Sequence, residues 1–153
     1  MKSPKKLRLA IFLILIVIVG VQLVPVTRDN PPVTADFNDP LDVKQILKKS
    51  CYDCHSNETV WPWYSHVAPS SWLVASDVHE ARDHLCFSDW GQMSPDDQRA
   101  AKRAIWKQVS AGEMPPGEYL LMHSDATLTA PDTAIIHQWV GEVPAFRSEA
   151  RDD

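Results

Sequence analysis

The chain has 153 residues, enough for one domain, and its hydrophobic fraction of 44% is ordinary for a globular protein. Four of its 15 basic residues and none of its 20 acidic residues lie in the first eight positions, so the remainder is acidic. This balance excludes a nucleic-acid partner, which requires a basic surface, and suits solubility or a basic protein partner.

The N-terminal part joins a basic segment, residues 1–8, to an uncharged apolar run, residues 9–26. As a helix, this run would extend about 27 Å, close to the hydrocarbon thickness of a bilayer. It lacks a small-x-small cleavage site, so we expect an uncleaved transmembrane signal anchor, with a cleaved secretion signal as the alternative. The positive-inside rule then places the rest of the chain on the periplasmic side of a bacterial inner membrane.

Residues 27–39 contain two prolines and are predicted to form an extended tether. The next helix is expected to begin with Asp39 as its N-cap and Pro40 at the first helical position. It then runs into a pair of cysteines.

Three further helices are predicted: residues 71–84, from Ser94 to Gly112, and from Thr129 to Gly141. No strand pattern of useful length occurs, so residues 40–153 are predicted to form one all-α domain with long loops. Long loops are easier to explain if a prosthetic group fills part of the centre.

Cys51-Tyr52-Asp53-Cys54-His55 is a C-x-x-C-H motif, the signature of covalent haem attachment. Thiols one helical turn apart can reach the two vinyl groups of one haem edge, and the adjacent imidazole can bind the iron. The alternatives are a redox-active cysteine pair, a zinc site and a structural disulfide. We interpret Cys51 and Cys54 as attachment residues for one haem c and His55 as an axial iron ligand.

Met114 is predicted to be the second axial ligand. It follows a predicted helix end, and the two prolines after it hold the loop extended, which can fix a weak thioether ligand. A methionine that fills a gap in the core is the alternative. Other candidate ligands are Met93, Met122, His66, His79, His84, His123 and His137.

Aromatic residues are dense after the motif, and six of them are candidates for the haem pocket: Trp61, Trp63, Tyr64, Trp72, Trp90 and Tyr119. Ordinary core packing is the alternative role, and a haem wall is itself a form of packing. One of these polar atoms could donate a hydrogen bond to a haem propionate. Arg82 could neutralise a propionate, but we expect it to be a solvated surface residue.

Several segments together resemble the bacterial haem-binding domain family of small, usually membrane-tethered monohaem c-type proteins. They are Cys51-Tyr-Asp-Cys-His-Ser-Asn-Glu-Thr59, Trp61-Pro-Trp-Tyr64, Ala68-Pro69, Ser71-Trp72, Phe87-Ser-Asp-Trp90 and Gly112-Glu-Met-Pro-Pro116. The resemblance covers about residues 28–141 and implies a cytochrome c-like helical fold around one haem. One departure is Cys86, where a polar residue is expected; we interpret it as a buried, inert thiol.

These observations predict an electron-transfer protein with a His/Met-ligated haem, which acts as a redox carrier and not as an enzyme. Its expected partners are other membrane or periplasmic redox proteins, and its N-terminal helix is expected to contact the membrane. The alternative is a haem-based sensor or weak peroxidase whose sixth ligand can be displaced. A third possibility is a subunit in which haem mainly holds the fold.

Overall fold

The computed structural model describes residues 4–141. The helices are α1 (Pro4–Gln22), α2 (Leu41–Ser50), α3 (Tyr52–His55), α4 (Ser70–His84), α5 (Pro95–Ser110), α6 (Gly117–Leu120) and α7 (Ala130–Gly141). Short 3₁₀ helices occur at Trp63–His66, Phe87–Gln92 and Ser124–Ala126. The described residues contain no strand, so the all-α prediction is confirmed; residues 142–153 of the predicted domain lie outside the described part.

Two predicted helix starts are present with their caps. Ser94 accepts a hydrogen bond from the backbone N–H of Asp97 at 3.2 Å, and Pro95 follows at the first helical position of α5. At the start of α7, Asp132 accepts from the backbone N–H of Thr129 at 2.9 Å, and Thr129 accepts from that of Asp132 at 3.3 Å. This reciprocal pair is a capping box.

The predicted N-cap of α2 is wrong. α2 begins at Leu41, and the residue at its cap position is Pro40, with no capping side chain. The Asp39 carboxylate instead accepts from Trp139 Nε1 at 3.3 Å and pairs with Lys102 Nζ at 3.3 Å. Asp39 therefore joins the segment before α2 to α5 and α7.

The apolar N-terminal run forms a shorter helix than predicted. α1 ends at Gln22, and its first turns contain Lys5, Lys6 and Arg8, so its uncharged part is about 21 Å long. Among the described residues, no helix combines the length and the apolar character needed to cross a membrane. The predicted transmembrane segment over residues 9–26 is therefore not borne out.

Residues 27–39 are extended, as predicted, but they pack against the helices and do not hang free. We call this segment the strap. Ala35 O accepts from the backbone N–H of Gly91 at 2.8 Å, and Phe37 is only 1% exposed. A Cβ atom at Gly91 would lie 3.1 Å from the Cβ of Ala35, so the close approach favours glycine there. The strap is part of the domain and not a flexible linker.

The protein core lies between the strap, α2, the 3₁₀ helix Phe87–Gln92 and α7. Its aromatic centre is Phe37, whose ring lies 5.2 Å from Trp90 and 5.5 Å from Trp139. Tyr52 of α3 stacks on Phe87 with centroids 5.3 Å apart. The core therefore supports the cysteine motif directly, through the side chain next to Cys51.

Candidate functional site

The C-x-x-C-H motif folds as a single turn. The backbone N–H of Cys51 donates to Leu47 O at 2.8 Å, which continues α2 into the motif. The N–H groups of Cys54 and His55 both donate to Cys51 O, at 3.2 and 2.9 Å. Cys51 and Cys54 are free thiols and are not joined as a disulfide. The turn therefore brings two thiols and one imidazole together on a short piece of backbone.

Both thiols of the motif are half-buried. Burial raises the pKa of Cys51 to about 12, with a further contribution from Cys54. Burial also raises the pKa of Cys54, to about 11. Both groups are therefore protonated at neutral pH in the folded chain.

His55 is held by the C-terminal end of α4. Its Nδ1 lies 3.0 Å from Ala81 O and 3.1 Å from Leu85 O. Because both partners are carbonyl oxygens, Nδ1 carries the proton and donates. Burial lowers the pKa of His55, while the two carbonyls act in the opposite direction. The imidazole is therefore neutral and keeps the Nε2 lone pair for a metal ion.

Arg82 is a structural residue, contrary to the expectation of a solvated surface side chain. The side chain is 9% exposed. Its Nε donates to Ser56 O at 2.8 Å, just after the motif. Its two terminal nitrogens donate to the strap and to the loop after the motif, on Asp29 O, Asn30 Oδ1 and Thr59 Oγ1. These bonds fix the motif relative to α4 and the strap.

The six predicted pocket aromatics do not form one group. Trp90 is fully buried in the protein core, whereas Trp63 is 70% exposed and Trp72 is 37% exposed. Trp61, Tyr64 and Tyr119 are half-buried. Trp61 Nε1 is shielded from solvent and has no hydrogen-bond partner among the described residues. A buried donor of this kind fits an acceptor supplied by a bound group.

Tyr119 and Tyr64 join a network that contains the motif residue Asp53. Tyr119 Oη donates to Asp53 Oδ2 at 2.8 Å, and Tyr64 Oη lies 2.8 Å from His123 Nε2. The rings of Tyr119 and His123 stack with centroids 4.3 Å apart. Burial, and then the bond to Asp53, raise the pKa of Tyr119, so its hydroxyl stays protonated. Asp53 was not predicted as a site residue, and no local pattern indicates a partner 66 residues away.

Met114 lies on the loop between α5 and α6, as predicted, and is 38% exposed. α5 ends in a Schellman motif: the N–H of Gly112 donates to Val109 O and that of Glu113 to Gln108 O. Gly112 has a φ of 72°, which favours glycine. The helix end thus sets the direction in which the chain leaves toward Met114.

The alternative ligands lie in different surroundings. The ring centroids of His137 and Trp106 are 4.3 Å apart, and His84 Nε2 lies 3.9 Å from a Glu80 carboxylate oxygen. His79 Nε2 lies 3.6 Å from Asp29 Oδ1 and has no hydrogen-bond partner among the described residues. His66 and Met122 are exposed, and Met93 packs against the core. Within residues 4–141, no group of three or more His, Cys, Asp or Glu side chains is arranged to hold a metal ion by itself.

Residues 16–142 match the family described as a haem-binding domain. The chain belongs to the haem-binding domain family. The match includes the strap, the C-x-x-C-H turn and all helices from α2 to α7. Searches of curated proteins and of solved structures found no match. Two thiols beside a neutral imidazole, together with a buried Trp61 N–H that has no acceptor within residues 4–141, fit a haem.

Proposed function

We propose that this haem-binding domain is a monohaem c-type cytochrome. Cys51 and Cys54 would hold the haem covalently, and His55 would be an axial ligand of its iron. The observation that carries the proposal is the pair of backbone carbonyls at His55 Nδ1, because this arrangement fixes the tautomer and orientation that a metal ligand needs.

We propose Met114 as the second axial ligand. Its support is its place on a loop whose direction is fixed by the Gly112 helix end and by two following prolines. His123 is less suitable because its Nε2 already bonds Tyr64. Trp61 Nε1 would donate to an acceptor of the haem, such as a propionate oxygen.

The proposed activity is electron transfer. A haem with two protein ligands supplies a one-electron couple and has no vacant position for a substrate. The chain orients His55, keeps it neutral and places it beside Phe87, whose ring centroid lies 6.4 Å from that of the imidazole. We further propose an extracytoplasmic location and basic redox partners, which the acidic composition favours.

The proposal is tested by mass spectrometry and optical spectroscopy of the purified protein. The protein should carry the mass of one haem after denaturation, and the reduced spectrum should be c-type. Cys51→Ser with Cys54→Ser should abolish covalent haem, whereas the control Cys86→Ser should retain it. Full covalent haem in the double variant, or none in the unaltered protein, would overturn the proposal.

A haem-based sensor or weak peroxidase is the second candidate. The observation that favours it is the 38% exposure of Met114, a ligand position that solvent can reach. Carbon monoxide distinguishes the two functions. A reduced spectrum unchanged by carbon monoxide supports electron transfer, and a rapid shift supports a labile sixth position.

A further inference from the structure

Residues 113–123 carry Met114 and Met122 but bury little apolar surface. Neither α5, which precedes them, nor α6, which lies within them, contains a fully buried residue. Leu121 is 83% exposed and Met122 is 56% exposed. Burial of apolar side chains therefore contributes little to holding this segment in place, and other contacts must help to fix it.

Polar and aromatic contacts hold the segment at two points. Tyr119 Oη donates to Asp53 Oδ2 at 2.8 Å, and so connects α6 to the turn that carries Cys51 and Cys54. His123 lies against the Tyr119 ring and reaches Tyr64 at 2.8 Å, in the 3₁₀ helix after the motif. We call Asp53, Tyr64, Tyr119 and His123 the aromatic latch.

The Asp53 carboxylate, which is the acceptor in the aromatic latch, is itself held in place. Asp53 Oδ1 accepts from the backbone N–H of Val60 at 3.1 Å, so both carboxylate oxygens are engaged. A carboxylate held in this way is a strong acceptor for a phenol. The bond therefore connects the centre of the motif to a residue five positions after Met114.

We infer that Tyr119 is a positioning residue that holds the Met-bearing segment against the haem-attachment turn, with Asp53 as its acceptor and His123 as its stacking partner. This inference rests on the proposed function. It applies whether the sixth ligand is Met114 or Met122, because both lie on the latched segment. Loss of the latch should make the sixth ligand labile without detaching the haem.

The test compares Tyr119→Phe with Thr34→Val in the full haem-loaded protein. Both variants remove one hydrogen bond from a hydroxyl to an aspartate, because Thr34 Oγ1 in the strap donates to Asp89 Oδ1 at 2.5 Å. Only Tyr119 lies on the segment that carries the methionines. A hydrogen bond to a charged group is strong. Its loss should raise about tenfold the fraction of molecules in which residues 113–123 have moved away from the haem-attachment turn.

For Tyr119→Phe we expect unchanged covalent haem, a weaker near-infrared band of methionine–iron coordination, and carbon monoxide binding about tenfold faster. Thr34→Val should leave the band and the rate unchanged. Asp53→Asn, which keeps an oxygen acceptor, should be closer to the unaltered protein than Asp53→Ala. Equal behaviour of Tyr119→Phe and Thr34→Val, or an unchanged band and rate in Tyr119→Phe, would overturn the inference.

Amide hydrogen exchange separates the failure of this inference from that of the proposed function. Tyr119→Phe should increase exchange across residues 113–123 and leave α2 and α7 unchanged, with or without bound haem. If the protein carries no covalent haem, the proposed function fails and the exchange result still decides whether the latch exists. Unchanged exchange in residues 113–123 would show that Tyr119 does not hold this segment against the haem-attachment turn.

Discussion

At the scale of single residues, Asp132 gives the fold a defined acid sensitivity. Its carboxylate accepts from Lys49 Nζ at 2.6 Å and from the backbone N–H of Thr129 at 2.9 Å. The bond from Lys49, followed by that from Thr129, lowers the pKa of Asp132 from 3.8 to about 2. The ionised form is therefore the one that the folded protein stabilises.

We expect Asp132 to contribute about 1–2 kcal/mol to the free energy of unfolding above pH 4. Because the folded pKa is the lower one, this contribution is lost as the pH falls from about 4 through about 2. Denaturant unfolding at several pH values should show the loss. Asp132→Asn should remove this pH dependence, whereas the exposed control Asp125→Asn should preserve it; an unaltered pH profile in Asp132→Asn would contradict the assignment.

At the scale of elements, the end of α5 depends on one glycine. Gly112 has a φ of 72°, while a Cβ atom at that position would meet nothing within 4 Å. Gly112→Ala should therefore destabilise the protein by about 1 kcal/mol through backbone strain alone. Gly117→Ala is the matched control, since Gly117 has the same open surroundings and no positive φ. Equal midpoints of denaturant unfolding for the two variants would rule out strain at Gly112.

Local signals predicted the helices whose caps are local. Ser94 and Thr129 bond residues three positions away, so sequence spacing alone is sufficient. Asp39 fails as a cap because its partners, Lys102 and Trp139, lie far along the chain. The same reason applies to the strap. Its composition predicts a tether, because the hydrogen bonds that fix it involve distant loops and helices, which the local sequence does not indicate. The four residues of α6 are too few to show a helical period.

The residue types of the candidate site can be recognised in the sequence, but the contacts that position them cannot. The C-x-x-C-H spacing is sufficient to propose Cys51, Cys54 and His55 as haem-binding residues. The contacts that support the site join residues 23 to 66 positions apart: the carbonyls at His55 Nδ1, the hydrogen bonds of Arg82, and the bond from Tyr119 to Asp53. Trp90 belongs to the protein core, which an aromatic residue type does not reveal.

At the scale of the whole molecule, the fold has a protein core and a less packed side that bears Met114. Leu47 of α2 and Ile136 of α7 are 0% exposed, whereas α5 and α6 contribute no fully buried residue. This division differs from the expectation that a haem fills the centre. The core between α2 and α7 consists of protein side chains.

The haem-free variant Cys51→Ser with Cys54→Ser should therefore remain partly folded. Amides of α2 and α7 should stay protected from hydrogen exchange, because their side chains pack on each other without a prosthetic group. Among the segments that follow α1, residues 111–123 should exchange fast, since none of them is buried. Uniform loss of protection in all helices would show that haem is needed for the whole fold.

The orientation of His55 should be robust to most side-chain mutations in its surroundings. Its two partners are backbone carbonyls, of Ala81 and Leu85, and a substitution at either position changes the side chain while leaving the carbonyl in place. Substitutions at the end of α4 should therefore leave the orientation of His55, the proposed iron ligand, unchanged as long as the helix still ends at His84. The damaging changes are those that act on the backbone itself, such as a proline near Ala81, which would break the last turn and misplace both acceptors together.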